Sequence, residues 1–106
     1  MYSPRGLSTL PARPLDPNLT PGGYMRACRK RAGKSTRASA AAIALSTEDR
    51  AHSRRDLVLL ERNTPGEYSR LIGALQARAV FPFEPSIFYA LAAATAAAEL
   101  DPWAAL

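Results

Sequence analysis

Residues 53 to 63 read SRRDLVLLERN. Leu57, Leu60 and Glu61 recur at helical spacing on one side of the stretch, while Arg54, Arg55 and Arg62 supply positive charge. Ser53 suits an N-cap and Asn63 a helix end, so the pattern predicts a helix from about Ser53 to Asn63. Asp56, Val58 and Leu59 lie between those markers and are decided by what surrounds them.

Working outward, similar punctuation recurs. Upstream, STEDRAHSRR at 46–55 is polar and rich in potential caps, so it reads as a loop or one short extra turn. Before it, Ser35 or Thr36 caps a second helix running through RASAAAIAL to Leu45, with a thin core face of Ala40, Ile43 and Ala44. Earlier still, Thr20 caps a first helix, Pro21 occupies its first position and Gly33 stops it after about Ala32. Tyr24, Met25 and Cys28 share one face of that helix; Arg26, Lys30 and Arg31 point elsewhere.

Downstream, Thr64, Pro65 and Glu67 have the spacing of a capping box that would open a fourth helix. Tyr68, Leu71, Ile72 and Leu75 form its apolar stripe, ending near Ala77. AVFPFEP at 79–85 is apolar but twice broken by proline, which predicts a buried connection. It leads into SIFYALAAATAAAEL at 86–100, a fifth helix that stops before Pro102, with Ile87, Phe88 and Leu91 expected to pack inside the molecule. Residues 1–20 carry prolines at 4, 11, 14 and 17 without periodicity, which predicts a disordered arm. The chain therefore divides into this arm and one helical domain over 21–106. TPGGYMR at 20–26 returns as TPGEYSR at 64–70, but the residues beyond each copy diverge, so the repeat reads as one helix-start solution used twice.

Composition narrows the functional classes. A chain of 106 residues accommodates one domain. The single cysteine, Cys28, excludes an internal disulfide, and no signal-peptide pattern or span-length apolar run is present, so a cytoplasmic protein without a membrane partner is expected. Residues 1–56 hold 11 Arg and Lys against 4 acids, whereas 57–106 hold 3 against 5. The basic half predicts a polyanionic partner, nucleic acid first; a solvated surface in an arginine-rich composition is the alternative. His52 is the only histidine. Glu48 and Asp49 are adjacent and diverge on a helix, and no glycine-rich phosphate loop occurs. No catalytic residue, metal site or cofactor is therefore expected.

From Tyr24 to about Leu91 the chain resembles the Cro/CI-type, or XRE-like, helix-turn-helix regulators of phages, prophages and bacteria. The likeness rests on YMRACRKRAGKST, with Arg29, Gly33 and Ser35; on SRRDLVLLERN, with Leu57, Leu60 and Glu61; and on TPGEYSRLIGALQARAVFPFEPSIFYALA. It implies an all-α, five-helix lambda-repressor-like bundle, and a structural pair between Arg29 and Glu61. The sequence departs from the family in two places: Ala44 to Ser53 adds residues between the second and third helices, and Val58 and Leu59 stand where polar residues usually face DNA.

The resemblance makes the third helix the recognition helix. Arg54 and Arg55, at its expected start, are the candidates for base readout, with Leu59 a candidate for thymine methyls. Lys34, Thr36 and Arg37 at the second helix start, with Ser53, Arg62, Asn63 and Thr64 around the third, are the candidate phosphate contacts. Double-stranded DNA is the expected partner and a homodimer the expected state, Trp103 being either a dimer contact or part of the monomer core. The function implied is a sequence-specific transcription regulator, a repressor of prophage-like genes, associated with the nucleoid when bound. The alternative is a factor on the same scaffold acting through protein contacts with RNA polymerase, a sigma factor or another regulator, using Val58, Leu59 and the insertion. A third reading is a nonspecific nucleic-acid binder using the basic arm and first helix.

Overall fold

In the computed structural model, residues 20–100 are described, with the side chain of Leu100 excepted. Five helices follow in order: α1 (Pro21–Arg31), α2 (Thr36–Ile43), α3 (Thr47–Glu61), α4 (Ser69–Ala77) and α5 (Pro85–Leu100). No strand occurs among the described residues. The all-α reading with five helices is borne out. The arm at 1–19 and Trp103 lie outside the described residues.

The first helix starts as its sequence dictates. Thr20 adopts an extended conformation and its hydroxyl accepts from the Gly23 amide at 3.0 Å, while Pro21 enters the first turn, where its missing N–H costs no hydrogen bond. Ser35 caps α2 in the same way, accepting from Ala38 at 3.0 Å. That helix ends at Ile43 rather than Leu45, because Ala44 is already extended and Leu45 projects into solvent at 84% exposure.

Three helices end in one shared geometry. Each closes with a left-handed residue whose amide, together with that of the residue after it, takes one carbonyl each from the helix's last turn: Gly33 (φ 71), Asn63 (φ 60) and Ala79 (φ 50). At α1, Gly33 N–H donates to the Lys30 carbonyl and Lys34 N–H to the Arg29 carbonyl, at 2.9 and 3.1 Å. Asn63 and Thr64 repeat this on Leu60 and Leu59, both at 3.0 Å, and Ala79 and Val80 on Gln76 and Leu75, both at 3.1 Å. This is the Schellman arrangement. Glycine suits it and asparagine tolerates it, but at Ala79 a Cβ is held in a conformation that disfavours it.

Two predicted helix starts are corrected. Ser53 does not cap α3; the helix starts six residues earlier, at Thr47, with the Ser46 hydroxyl accepting from Asp49 N–H at 3.0 Å. The polar segment 46–53 is helical because Ser46 is a good cap and Glu48 and Asp49 favour the positive end of the helix dipole. Likewise, Thr64 does not open α4. Asn63 at φ 60 turns the chain away, residues 64–68 form a loop, and α4 starts only at Ser69. Glu67 accepts from the Ser69 amide at 2.6 Å, and the Tyr68 hydroxyl donates to the Thr64 carbonyl at 2.6 Å, so no reciprocal capping box forms. The repeated heptad thus starts a helix once, at 20–26, and builds a loop the second time.

Met25 and Cys28 of α1, Ile43 of α2, Leu57 and Leu60 of α3 and Leu71, Ile72 and Leu75 of α4 meet in one core. Val80 and Phe81 from the α4–α5 connection complete it with Phe88 of α5, which bears out the buried connection. Ala40 and Ser39 are fully enclosed; Ala44 is half-buried. Ile87 was expected inside and instead lies 44% exposed, since one turn of α5 can aim either Ile87 or Phe88 at the core. Leu91 is half-buried.

Candidate nucleic-acid interface

The joint between α1 and α3 sets the position of the candidate reading helix. At one end, Arg29 lies 8% exposed and meets Glu61 through both oxygens: Nε donates to Oε2 at 2.6 Å and Nη2 to Oε1 at 2.8 Å. The third nitrogen of the fork, Nη1, donates to the Lys34 carbonyl at 2.7 Å, which ties the loop after α1 to the same pair. The Glu61 hydrogen bonds raise the Arg29 pKa further above its usual range against the opposing effect of burial. The pair suggested by the family resemblance is therefore present as a bidentate, enclosed ion pair.

At the other end of α1, the backbone of Gly22 packs directly on the end of α3. A Cβ there would sit 2.4 Å from the Leu60 carbonyl oxygen, 2.7 Å from that of Glu61 and 2.8 Å from Asn63 Oδ1. Glycine permits the approach, and Asn63 fastens it: its Oδ1 accepts from the Gly22 amide at 2.8 Å and its Nδ2 donates to Thr20 Oγ1 at 3.2 Å. Asn63 was read from sequence as a phosphate contact. Its side-chain amide is committed instead to the start of α1.

The remaining candidates differ in exposure, and only Ser53 and Arg55 line a cleft between α3 and α4. Lys34, Arg37 and Arg62 are exposed, and Thr36, the first residue of α2, is half-buried beside its capped end. Thr64 is half-buried, and its carbonyl is taken by Tyr68. Arg54 and Arg55 are both exposed but stand mid-helix rather than at the helix start, because α3 is about two turns longer than expected. They also diverge by about 100° around the axis. Arg55 lies in that cleft with its Nη2 3.6 Å from Asp56 Oδ1 in a solvent-exposed pair. Ser53 faces the same cleft, which has a volume of about 600 Å³ and also takes in His52, Arg70 and Arg78. Arg54 does not line it. Val58 and Leu59 are half-buried, so neither projects freely.

Arg50 is exposed on α3 four residues before Arg54. It was passed over because 46–53 read as a loop; the signal available was its spacing to Arg54, once Ser46 rather than Ser53 is taken as the cap. Gly22 was likewise missed, since nothing local distinguishes it from Gly23. Among the described residues, no group of three His, Cys, Asp and Glu side chains could hold a metal ion, and no helix is long and apolar enough to cross a membrane.

Comparison of the chain with family models, with curated proteins and with solved structures returned no match.

Proposed function

We propose that this protein is a sequence-specific double-stranded DNA-binding transcription regulator of the helix-turn-helix kind, acting as a repressor of prophage-like genes and working as a homodimer. The observation that carries the reading is the enclosed Arg29–Glu61 pair, which fixes α1 against the end of α3 while leaving the basic side chains around it in solvent. A long helix held in this way and carrying exposed arginines is the kind of element that enters a major groove in helix-turn-helix proteins. The exposed Lys34 and Arg37 near the start of α2 supply a place for backbone phosphate, where the positive end of the helix dipole favours negative charge.

Genome-wide recovery of DNA bound by the protein in its host, followed by salt titration on a recovered fragment, tests the proposal. A regulator should prefer its own fragment over random DNA by at least roughly 10³-fold. Lys34→Ala should weaken binding to all sequences alike and flatten the salt dependence. Equal binding to every fragment would refute sequence-specific regulation and leave a nonspecific binder.

A second reading is favoured by Leu45, which stands 84% exposed beside the α3–α4 cleft. On it, the protein docks RNA polymerase, a sigma factor or another regulator. Co-purification with polymerase that is lost in Leu45→Asp, without any recovered DNA preference, would establish that reading in place of the first.

A further inference from the structure

The segment that sets this chain apart from the helix-turn-helix pattern, Ala44 to Ser53, builds one wall of the cleft between α3 and α4: Leu45, Asp49, His52 and Ser53 all line it. With Ser46 as the cap, Asp49, His52, Ser53 and Asp56 recur at three- and four-residue intervals and form one stripe along α3. Opposite, Arg70, Ala74 and Arg78 are spaced by four, which runs a second stripe along α4 and its C-cap. The floor is apolar. Ile43 and Leu71 are buried and Ala74 is half-buried.

Formal charge in the cleft balances, three arginines against Asp49, Asp56 and Glu67, but hydrogen-bonding capacity does not. Each carboxylate is engaged within the chain. Asp49 Oδ2 accepts from the Leu45 amide at 2.9 Å, Glu67 Oε1 from the Ser69 amide at 2.6 Å, and Asp56 Oδ1 lies 3.6 Å from Arg55. The cations are left with donors to spare. Arg78 Nη1 donates to the Ala42 carbonyl at 3.3 Å, which anchors the side chain at the end of α2, while Nε and Nη2 have no acceptor among the described residues. Arg70 and His52 make no hydrogen bond or ion pair with any described residue. A guanidinium presents its donors in a planar fork that matches carboxylate or phosphate oxygens, so the unmet hydrogen bonding in this cleft calls for an anion.

We infer that the cleft binds a small organic anion with an apolar body, its carboxylate or phosphate held over Ala74 between Arg70 and Arg78 and its hydrocarbon part laid on Ile43, Leu71 and the exposed Leu45. The volume of about 600 Å³ is that of a small-molecule site. Arg70 and Arg78 stand about 12 Å apart along α4, and Ala74 is too small to fill the space between them, so both long side chains can turn toward one head group. This assignment stands whether or not the protein binds DNA.

In the test, octanoate and octyl phosphate are titrated into the full chain at constant salt, with octylammonium as the chain-matched cation, and backbone amide shifts are followed by NMR. Octanoate, octyl phosphate or both should produce saturable one-site shifts confined to residues 43–56 and 67–78, and octylammonium should not. Whichever anion saturates at the lower concentration names the head group. Arg70→Ala and Arg78→Ala should each raise the Kd about tenfold, whereas Arg31→Ala, which removes an exposed charge outside the cleft, should leave it unchanged. A dispersed amide spectrum confirms that each variant is folded. Saturation by octylammonium at the same concentrations, shifts centred on α5, or an affinity unmoved in both cleft-arginine variants would overturn the site. The absence of any saturable shift up to about 10 mM would overturn it too, and leave the cleft to the protein-contact reading.

Discussion

Replacing glycine by alanine inside a helix ordinarily stabilises it, by about 1 kcal/mol. In this protein the same substitution should have opposite signs at two helical glycines. At Gly73, an exposed residue inside α4, an added Cβ meets nothing within 4 Å, so Gly73→Ala should stabilise the fold by about 0.5–1 kcal/mol. At Gly22 the Cβ would lie 2.4 Å from the Leu60 oxygen and 2.7 Å from the Glu61 oxygen, both backbone atoms held within or at the end of α3. Restoring ordinary contact requires the start of α1 to retreat by about 1 Å, a misfit of the kind that costs about 1–3 kcal/mol. The same retreat stretches the 2.8 Å bond from the Gly22 amide to Asn63 beyond useful range, losing about 0.5–1.5 kcal/mol more. After the helical gain is deducted, Gly22→Ala should destabilise by about 1–3 kcal/mol. Urea unfolding followed by circular dichroism measures both changes; each kcal/mol corresponds to about 4–8 °C in melting temperature for a domain of this size. A Gly22→Ala protein as stable as the parent would refute the close α1–α3 approach, and with it the account of how α3 is held.

Four further outcomes follow from the described contacts. Breaking the enclosed pair with Glu61→Ala should cost about 3–5 kcal/mol because Arg29 is left buried with its charge uncompensated, while Arg29→Met with Glu61→Leu should recover most of that in the same urea titration. Ser39 is fully buried and its hydroxyl has no hydrogen-bond partner among the described residues, so Ser39→Ala should stabilise by about 1 kcal/mol; equal or lower stability would count against the buried placement. Ala79 holds a left-handed conformation, so Ala79→Gly should raise stability by about 1 kcal/mol, seen as a higher urea midpoint at unchanged slope. Burial raises the Tyr24 and Tyr68 pKa values above the usual 10.0, with the Glu84 amide's donation to Tyr24 acting in the opposite direction. Both phenols are more readily neutral when folded, so their contribution is present below about 10 and lost as pH rises through the raised values; ultraviolet titration of Tyr24→Phe and Tyr68→Phe should each remove a late-ionising phenolate, and early ionisation of both would refute it.

The helix-forming content, the capped starts of α1 and α2 and most of the core were determined by the sequence alone. Thr20 with Pro21, Ser35, Gly33 and the spacing of Met25, Cys28, Leu57, Leu60, Leu71, Ile72 and Leu75 are local signals, and local energetics suffice to read them. What tertiary structure decided lay where two local signals competed or where the partner was distant. Both Ser46 and Ser53 could cap α3, and Ser46 capped the helix observed, bringing Arg50 onto the helix and Arg54 and Arg55 into its middle. Thr64 and Glu67 have the spacing of a cap, but the turn made by Asn63 to reach Gly22, 41 positions earlier, leaves Thr64 in a loop. The partner of Arg29 was suggested by family likeness, whereas its two bonds to Glu61 and its third to Lys34 come from the approach of chain segments that sequence spacing leaves free. Periodicity fixes which side of a helix turns inward; the side left open for a ligand is fixed only when the other helices have packed.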